Sequence, residues 1–250
     1  MQENKVKEFF DKNSREWDRN YESKSNNLTS WYLKNRKKIV LSMFDFRKSK
    51  VLEVGCGTGI FSVEILKRGN KLWGIDISPK MIKEAKKKVK NEGLKAVFST
   101  GDICNLKFQN NFFDTVVVIG VMSYIEEDDK AFSELSRVLK KGGILIITVG
   151  NKYSPDYLSR KFFNFFLKHL KSNKLIFQNI QTKAYSQREI NQILEENNFD
   201  VIDYANYNYK FFPFHKILPS LFVYLSKKIH PKSKFSALSA EKILKLRKVK

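Results

Sequence analysis

The sequence predicts an α/β fold in which helices flank a doubly wound, mostly parallel sheet. Three observations lead to this prediction. An apolar strand runs directly into three alternating glycines at residues 51–59. Two later strands, at residues 71–76 and 97–102, each end in an aspartate. Amphipathic helical patterns separate the strands, and this alternation is typical of a parallel sheet with crossover helices.

Residues 1–46 precede the predicted core, residues 47–150, and are expected to form a helical lid. Apolar and aromatic residues recur at helical spacing from Val6 to Tyr21. A second helix is predicted at residues 30–44. Most of the basic residues of this second helix are expected to form a solvated face.

The glycine turn is the feature that best indicates a bound ligand. Gly55, Gly57 and Gly59 follow a short apolar strand, and glycine accepts positive φ and lets the backbone approach a ligand closely. A helix is predicted at residues 58–68. Strand, turn and helix in this order are typical of doubly wound sheets that bind adenosine-type cofactors. The alternative is that the three glycines only make a tight turn.

Carboxylates at two strand ends weigh against that alternative. Asp76 ends the strand at residues 71–76, about where a doubly wound fold needs an acceptor for ribose hydroxyls. Asp102 ends the next strand in the same way. Packing alone does not explain strand-end carboxylates that recur in register, so the sequence favours a cofactor site.

The rest of the predicted core follows from turn residues and periodicity. Ser78 and Pro79 are typical of a helix N-cap and of the first helical position. A continuous β-branched run at residues 113–119 predicts a strand buried in a parallel sheet. An amphipathic helix at residues 126–140 and two glycines are expected to lead into a fifth strand at residues 144–149.

Residues 151–250 are predicted to add a helical cap and the last strands of the same domain. A pattern rich in Phe, Leu and Lys at residues 153–170 predicts an inserted helix. A capping box that begins at Ser186 predicts another helix. The last two strands are expected at residues 199–207 and 242–249, and the final one is expected to be antiparallel.

These residues resemble the class I S-adenosylmethionine-dependent methyltransferases over roughly residues 30–150. Residues 53–59 are similar to the glycine motif of that family, Asp76 to its ribose-binding acid and residues 101–103 to its adenine-side motif. The resemblance implies a Rossmann-like sheet of seven strands, mostly parallel with an antiparallel last strand, and a helical cap inserted in the C-terminal part.

The resemblance also implies S-adenosylmethionine as the cofactor. Residues 17–21 resemble a W-D-x-x-Y segment that many small-molecule methyltransferases fold over the cofactor, although a helix that packs two aromatic residues on the core is the alternative. For Arg36 it implies contact with the methionine carboxylate. The spacing G-x-G-x-G argues against a nicotinamide enzyme, whose fingerprint is G-x-G-x-x-G. The implied cofactor-binding residues are Tyr21, Arg36, Glu53, Gly55, Cys56, Gly57, Gly59, Asp76, Ile77, Met81, Asp102, Ile103 and Ile119.

The function that the resemblance implies is methyl transfer to O or N of a small or lipid-like acceptor, by in-line displacement. The cofactor supplies the reactivity, and the protein supplies binding, orientation and electrostatics. Candidate catalytic residues are Tyr124 and His215. The alternatives are that Tyr124 lines the pocket and that His215 is a surface or packing residue. No cluster of Cys, His and Asp is recognisable in the sequence, so metal-independent chemistry is expected.

The chain is strongly basic, with a formal net charge of +21. Residues 151–250 hold 19 Lys and Arg but only 7 Asp and Glu. Such a charge attracts polyanions or anionic membranes, although the lysine bias of an AT-rich genome would produce it without any partner. Nucleic acid is the less favoured partner, because residues 119–124 lack the Asn- or Asp-Pro-Pro-aromatic signature of enzymes that methylate exocyclic nitrogens. An RNA methyltransferase and a non-catalytic, cofactor-sensing module are the alternatives.

Residues 209–240 are an excursion from the predicted sheet and carry an apolar stripe with basic neighbours. Apolar residues recur at helical spacing between Phe214 and Leu225. Three interpretations are open: ordinary core, an apolar substrate pocket, or an interfacial helix that lies on anionic lipid.

Cysteine content and hydropathy indicate the compartment. The two cysteines, Cys56 and Cys104, do not indicate a disulfide framework and are expected to pack near the cofactor. The first residues lack the apolar core of a signal peptide, and no run approaches the ~20 apolar residues of a membrane span. A cytoplasmic location is therefore expected, with the membrane as a candidate surface for peripheral contact.

Overall fold

The structure is a computed structural model that describes residues 2–22, 28–45, 48–169, 182–211, 213–233 and 237–250. Its strands are β1 (Lys50–Val54), β2 (Lys71–Asp76), β3 (Val97–Thr100), β4 (Phe113–Val118), β5 (Leu139–Gly150), β6 (Phe199–Tyr207) and β7 (Glu241–Lys248). Its helices are α1 (Gln2–Glu22), α2 (Leu28–Met43), α3 (Ile60–Lys67), α4 (Pro79–Asn91), α5 (Asp128–Val138), α6 (Pro155–His169), α7 (Gln187–Glu196), α8 (Phe214–Ile217) and α9 (Pro219–Lys228).

These strands form one sheet in the order β3-β2-β1-β4-β5-β7-β6. Neighbours from β3 to β5 run parallel, and β7 runs antiparallel to both β5 and β6. The predicted α/β fold, with seven strands and an antiparallel last strand, is therefore confirmed.

The central strands of the sheet are buried on both faces. Alternate residues of β4 point to opposite sides, so that Val116 and Val118 belong to the core under α5 and α7, whereas Val117 belongs to the core under α3 and α4. A strand with two covered faces needs apolar side chains at every position. This explains the apolar residues Val116, Val117 and Val118 at the end of β4.

The third and fourth strands end slightly before their predicted boundaries. The last pair of the ladder between β2 and β3 joins Asp76 to Thr100, so Asp102 lies in the turn that follows and not in the strand. Ile119 likewise follows the end of β4 at Val118. The residues still emerge at the carboxyl edge of the sheet, where a ligand would be bound.

The fifth strand begins five residues earlier than predicted, at Leu139. Phe113 pairs with Leu139, whereas Thr115 pairs with Ile144, so the intervening residues of β5 loop out of the ladder. Gly142 adopts a φ of +76° in this loop, a conformation that glycine reaches without strain. The two glycines predicted to precede the strand therefore lie inside it, and α5 ends correspondingly early.

α1 packs against α4 and the glycine turn through polar side chains. The carboxylate of Asp18 accepts a hydrogen bond from the Thr58 hydroxyl and lies 2.9 Å from Nζ of Lys88. The carboxylate of Asp11 accepts a hydrogen bond from the Ser78 hydroxyl, which in turn caps α4. The N-terminal helix is thus fastened to both elements that follow the first two strands.

The apolar stripe of residues 209–240 does not form one helix. α8 ends at Ile217 and α9 begins at Pro219, because Leu218 has φ −123° and ψ 59°, outside the helical region that is disfavoured before proline. Most of the stripe is exposed, with exposed fractions from 39% at Leu225 to 68% at Ile217. The interpretation of the stripe as ordinary core is therefore wrong.

The helix predicted at residues 153–170 is α6, which begins at Pro155. Its predicted last residue lies outside the described residues. In the part of the chain that the structure describes, no helix combines the length and apolar content that a membrane crossing requires.

Candidate functional site

The glycine turn between β1 and α3 brings backbone atoms to the carboxyl edge of the sheet. Gly55 and Gly57 adopt φ values of +68° and +52°, which L side chains disfavour. A Cβ on Gly55 would lie 2.2 Å from Cγ2 of Val121. The turn therefore has no room for a side chain at this point, and its backbone borders the adjacent cavity directly.

Asp76 joins the glycine turn to the start of α4. Its carboxylate accepts hydrogen bonds from the backbone N–H groups of Gly57 and Ser78, both at 2.9 Å. Asp76 is buried, and burial raises the pKa of its carboxyl group above the ordinary value. Each oxygen of a carboxylate accepts more than one hydrogen bond, so Asp76 keeps acceptor capacity toward the cavity that it lines.

Asp102 follows the neighbouring strand and lines the same cavity as Asp76. One of its oxygens accepts a hydrogen bond from the backbone N–H of Cys104 at 2.9 Å. The ladder of β2 and β3 ends in register, and for this reason the two aspartates emerge at the same edge of the sheet.

A cavity of about 340 Å³ lies at this edge. Open α/β sheets bind ligands in this position, outside the carboxyl ends of their strands. Most of the site residues predicted from the sequence line it, namely Tyr21, Arg36, Gly55, Cys56, Gly57, Asp76, Ile77, Met81, Asp102, Ile103, Ile119 and Tyr124. The cavity is thus lined both by residues of the predicted core, from Gly55 to Tyr124, and by Tyr21 and Arg36 of the two N-terminal helices.

Arg36 is buried and does not share the solvated face predicted for α2. Its Nη2 donates a hydrogen bond to the Tyr21 hydroxyl, whereas its Nε has no hydrogen-bond partner among the described residues. Burial alone would lower the pKa of the guanidinium, but the nearby Tyr21, Tyr207 and Glu241 side chains raise it above the ordinary value. A buried cation with an unused donor beside a cavity favours an anionic ligand group there.

Tyr21 belongs to the segment that resembles W-D-x-x-Y. Its ring lines the cavity and makes an edge contact with Phe61, with ring centroids 6.4 Å apart. The side chain of Trp17 lies outside the described residues. Tyr21 therefore reaches the site as well as packing on the core.

Glu53 and Gly59 do not line the cavity. Glu53 is buried behind the turn, where its carboxyl accepts a hydrogen bond from the Ser62 hydroxyl, and burial raises its pKa to about 8. A Cβ on Gly59 would lie 3.2 Å from Cα of Ala85. Both residues support the turn from behind, Glu53 by a buried polar contact and Gly59 by letting α3 approach α4 closely.

His215 is also not brought to the cavity. It is buried on α8, where its Nδ1 lies 3.7 Å from a carboxylate oxygen of Asp156 on α6. The pKa of its imidazole is lowered, chiefly by burial. The nearby Asp156 carboxylate opposes this shift, and the charges of Lys210 and Arg160 add to it. The structure therefore supports the packing alternative for His215 and removes the geometric basis for a catalytic role.

Tyr124, the other candidate catalytic residue, does line the cavity. Its ring makes an edge contact with Phe10 of α1, with ring centroids 5.5 Å apart. Burial, with a smaller effect of the Glu241 carboxylate, raises the pKa of its phenol above the ordinary value. The hydroxyl is thus neutral at neutral pH and suits donation of a hydrogen bond better than acceptance of a proton.

Sequence reasoning missed several residues that line the cavity. Val6 and Phe10 come from α1, Glu126 and Glu127 directly precede α5, and Lys130 lies in its first turn. The apolar pattern of α1 was visible in the sequence and indicated a buried face. It did not indicate which part of the molecule that face covers.

Comparison with known proteins agrees with this geometry. Residues 52–147 match the family described as Methyltransferase domain. A demethylmenaquinone methyltransferase from Bacteroides fragilis is 37% identical over 116 residues, which are 45% of this chain and 47% of that protein. The chain therefore spans about half the length of this relative.

Two further proteins extend the similarity. The ubiquinone/menaquinone biosynthesis C-methyltransferase UbiE from Neisseria meningitidis is 30% identical over 180 residues, which are 67% of this chain and 73% of that protein. The crystal structure of magnesium protoporphyrin IX methyltransferase from Synechocystis, with bound SAH, has the same fold, with a TM-score of 0.68 at 19% identity over 97% of this chain and 98% of that one. Together with the glycine turn and the two strand-end aspartates, these similarities show that the chain belongs to the class I S-adenosylmethionine-dependent methyltransferases.

Proposed function

We propose that the chain transfers the methyl group of S-adenosylmethionine to a small, apolar or lipid-like acceptor. The observation that supports this most is the cavity, which is lined by Asp76 and Asp102, by the backbone of the glycine turn and by the buried Arg36. The sequence predicts O or N as the acceptor atom. Carbon is a third candidate, because the Neisseria relative is named a C-methyltransferase.

The residues around the cavity fit this cofactor. We assign its ribose hydroxyls to Asp76, whose oxygens keep acceptor capacity, and its adenine side to Asp102 and Ile103. We assign its methionine carboxylate to Arg36, because the unpartnered Nε of that residue is a buried donor that needs an acceptor. The backbone at Gly55 and Gly57 leaves room for the cofactor between these groups.

When bound, S-adenosylmethionine supplies an electrophilic methyl group. The chain contributes binding and orientation, and holding two reactants in near-attack geometry lowers a barrier by on the order of 7–11 kcal/mol. Val6 and Phe10 cover the cavity from α1 and keep water away. Tyr124 donates a hydrogen bond toward the acceptor, because its raised pKa keeps the hydroxyl protonated.

We assign the acceptor to the apolar and aromatic side chains of the cavity. Val6, Phe10, Val121, Tyr124 and Ile125 line it together. The relatives are named for acceptors with large apolar parts, demethylmenaquinone in one case and magnesium protoporphyrin IX in another. This agreement supports an acceptor that is soluble in lipid, and for such an acceptor we include peripheral contact with an anionic membrane in the proposal.

Labelled cofactor tests the proposed function. The chain is incubated with S-adenosylmethionine that carries a deuterated methyl group and with the aqueous or the lipid fraction of a cell extract, and mass spectrometry follows the label. We expect a labelled product in the lipid fraction with the wild-type chain and none with Asp76→Ala. If the chain binds S-adenosylhomocysteine but labels nothing in either fraction, it is a cofactor-sensing module and the proposed function is wrong.

A further inference from the structure

The cap formed by α8 and α9 turns its apolar side chains outward. We call its exposed residues the cap surface, and they are Phe214, Ile217, Leu218, Leu221, Tyr224 and Leu225. Each of them is at least 39% exposed. Soluble proteins rarely expose apolar side chains in such a group unless the surface meets a partner or a membrane.

The buried residues of the same two helices are polar, and the half-buried Phe222 lies beside one of them. On α9, Ser226 is buried and its Oγ lies 3.1 Å from the Tyr32 hydroxyl of α2. On α8, His215 is buried against Asp156. An ordinary amphipathic helix has the opposite arrangement, with apolar residues inward and polar residues in water. The cap is therefore built to present leucine, isoleucine and aromatic side chains to its surroundings.

The cap is also purely basic. The sequence contains no Asp or Glu between Asp203 and Glu241. Lys216, Lys227 and Lys228 are exposed on α8 and α9, and Nζ of Lys228 lies 5.8 Å from the centre of the Tyr224 ring. Apolar side chains flanked by lysines, with a tyrosine between them, are typical of surfaces that bind at the boundary between headgroups and acyl chains.

The adjoining helix continues this character. Leu158, Phe162 and Phe165 recur at helical spacing on α6, and each is about half exposed or more. The contact between Asp156 and His215 joins the start of α6 to α8. A second exposed apolar stripe thus lies on a helix that contacts α8.

We propose that the cap surface docks on an anionic lipid bilayer. Its apolar side chains enter the boundary of the acyl chains and its lysines contact the anionic headgroups. RNA would satisfy the lysines but leave the leucines and Ile217 in water. A second copy of the chain, paired through the same patch, would place lysines opposite lysines. The bilayer alone matches both the apolar and the basic residues.

Docking of the cap would bring the cofactor cavity close to the membrane. Tyr32, which contacts α9, lies one helical turn before Arg36, which lines the cavity. This step rests on the proposed function, because it is the lipid-soluble acceptor that gives membrane contact its purpose. The docking itself does not require methyl transfer and is measured separately.

Vesicle flotation of the full chain tests the proposal. The vesicles are phosphatidylcholine with or without phosphatidylglycerol, and two variants alter the cap surface, Lys227→Glu/Lys228→Glu and Ile217→Ser/Leu221→Ser. The matched controls are Lys86→Glu/Lys87→Glu on α4, with the same change in net charge, and Val97→Ser/Val201→Ser, at exposed valines of two edge strands. Calorimetry with S-adenosylhomocysteine shows that every variant is folded, and a wild-type chain that does not bind this ligand contradicts the proposed function alone.

We expect the wild-type chain to float with the anionic vesicles. Each cap variant should weaken this binding by at least about tenfold, because two lysines near an anionic surface, or two buried aliphatic side chains, together contribute that much or more. The controls should bind like the wild-type chain. The proposal is overturned if the wild-type chain does not bind the anionic vesicles. It is also overturned if the cap variants bind like the wild-type chain, or if the controls lose as much vesicle binding as the cap variants. If the chain does not bind vesicles but binds RNA through Lys227 and Lys228, the proposal is wrong. It is also wrong if the chain does not bind vesicles but forms a dimer that Ile217→Ser/Leu221→Ser dissociates.

Discussion

Arg36 is a buried cation with a hydrogen-bond donor left over, and single-residue substitution tests what that donor binds. We expect Arg36→Gln to weaken binding of S-adenosylhomocysteine by about 10- to 100-fold, because a hydrogen bond to a charged group contributes roughly 1.5–3 kcal/mol. Methylthioadenosine has no carboxylate, and its affinity should be nearly unchanged. Isothermal titration calorimetry measures both ligands.

The control for this prediction is Lys37→Gln. Lys37 is the next residue of α2 but is paired with Glu64 at 2.9 Å on the outer side. Lys37→Gln should leave the affinity for both ligands unchanged. If Arg36→Gln weakens both ligands equally, Arg36 supports the cavity as a whole and does not bind the carboxylate.

Glu53 should make the stability of the fold depend on pH. Burial raises the pKa of its carboxyl to about 8, from an ordinary 4.5, so between these values the folded chain holds a proton that the unfolded chain has lost. The stabilising contribution is therefore fully present below about pH 4.5 and is lost as pH rises toward 8. Asp76, whose pKa is also raised by burial, acts in the same direction.

Glu53→Gln should remove part of this dependence. Glutamine keeps an acceptor for the Ser62 hydroxyl but does not titrate, so the fall in the free energy of unfolding should become shallower by up to about 1 kcal/mol per pH unit. Urea unfolding between about pH 5 and about pH 8 measures the slope. Glu195→Gln, at an exposed position of α7, is the control. Equal slopes for the wild-type chain and Glu53→Gln would show that the buried carboxyl is already ionised.

At the scale of secondary-structure elements, the glycine turn decides how closely α3 approaches α4. Gly59 has a φ of +83°, and a Cβ there would lie 3.2 Å from Cα of Ala85; Gly93 has a φ of +69° with open space around it. We expect Gly93→Ala to cost about 1 kcal/mol of unfolding free energy for its backbone conformation alone. Gly59→Ala should cost about 2–4 kcal/mol, because the clash between helices adds to the same conformational cost.

Urea unfolding of the two glycine variants gives the difference directly, since both changes add one methyl group at a left-handed residue. Equal losses of stability would mean that α3 and α4 move apart without cost. In that case the role assigned to Gly59, close packing of the two helices, would be wrong.

Elements with a strong local signal were predictable from the sequence. β2 and β6 have the predicted bounds, and the capping box of Ser186 begins α7 as expected. The start of β5 was not predictable, because Gly142 and its neighbour look like the turn before a strand, whereas pairing with β4 draws Leu139 into the ladder. Pairing of this kind joins residues distant in sequence, and a local pattern does not contain it.

Across the whole molecule, the site residues with a clear local pattern were predicted, and those placed by contacts distant in sequence were missed. Asp76, Asp102 and the glycine turn were found because each lies at the end of a strand with a clear local pattern. Phe10 was missed because its contact with Tyr124 depends on where α1 packs. His215 lies away from the cavity, and the sequence did not show this because a histidine in an apolar segment has no local feature that distinguishes a packing residue from a base.

Helix α1 covers one side of the cavity, and its packing should therefore depend on whether a ligand is bound. Asp18 fastens α1 to Thr58 of the glycine turn and to Lys88 of α4. We expect S-adenosylhomocysteine to slow amide hydrogen exchange in α1, because a filled cavity adds contacts to Val6 and Phe10, and to leave α9 unchanged. Asp18→Ala should speed exchange in α1 and weaken binding about threefold to tenfold, since a partly exposed ion pair and a hydrogen bond together contribute roughly 1 kcal/mol.

Hydrogen exchange with mass spectrometry reads both helices in one experiment, so α9 is an internal control for general changes in stability. Glu92→Ala removes the carboxylate of an exposed ion pair with Lys67 elsewhere on the molecule and should leave α1 as it is in the wild-type chain. If the ligand protects the glycine turn and β2 but not α1, the N-terminal helix does not cover the bound cofactor. Residues 1–46 would then not form a lid over the cofactor, and the role assigned to Val6 and Phe10, the exclusion of water from the cavity, would be wrong.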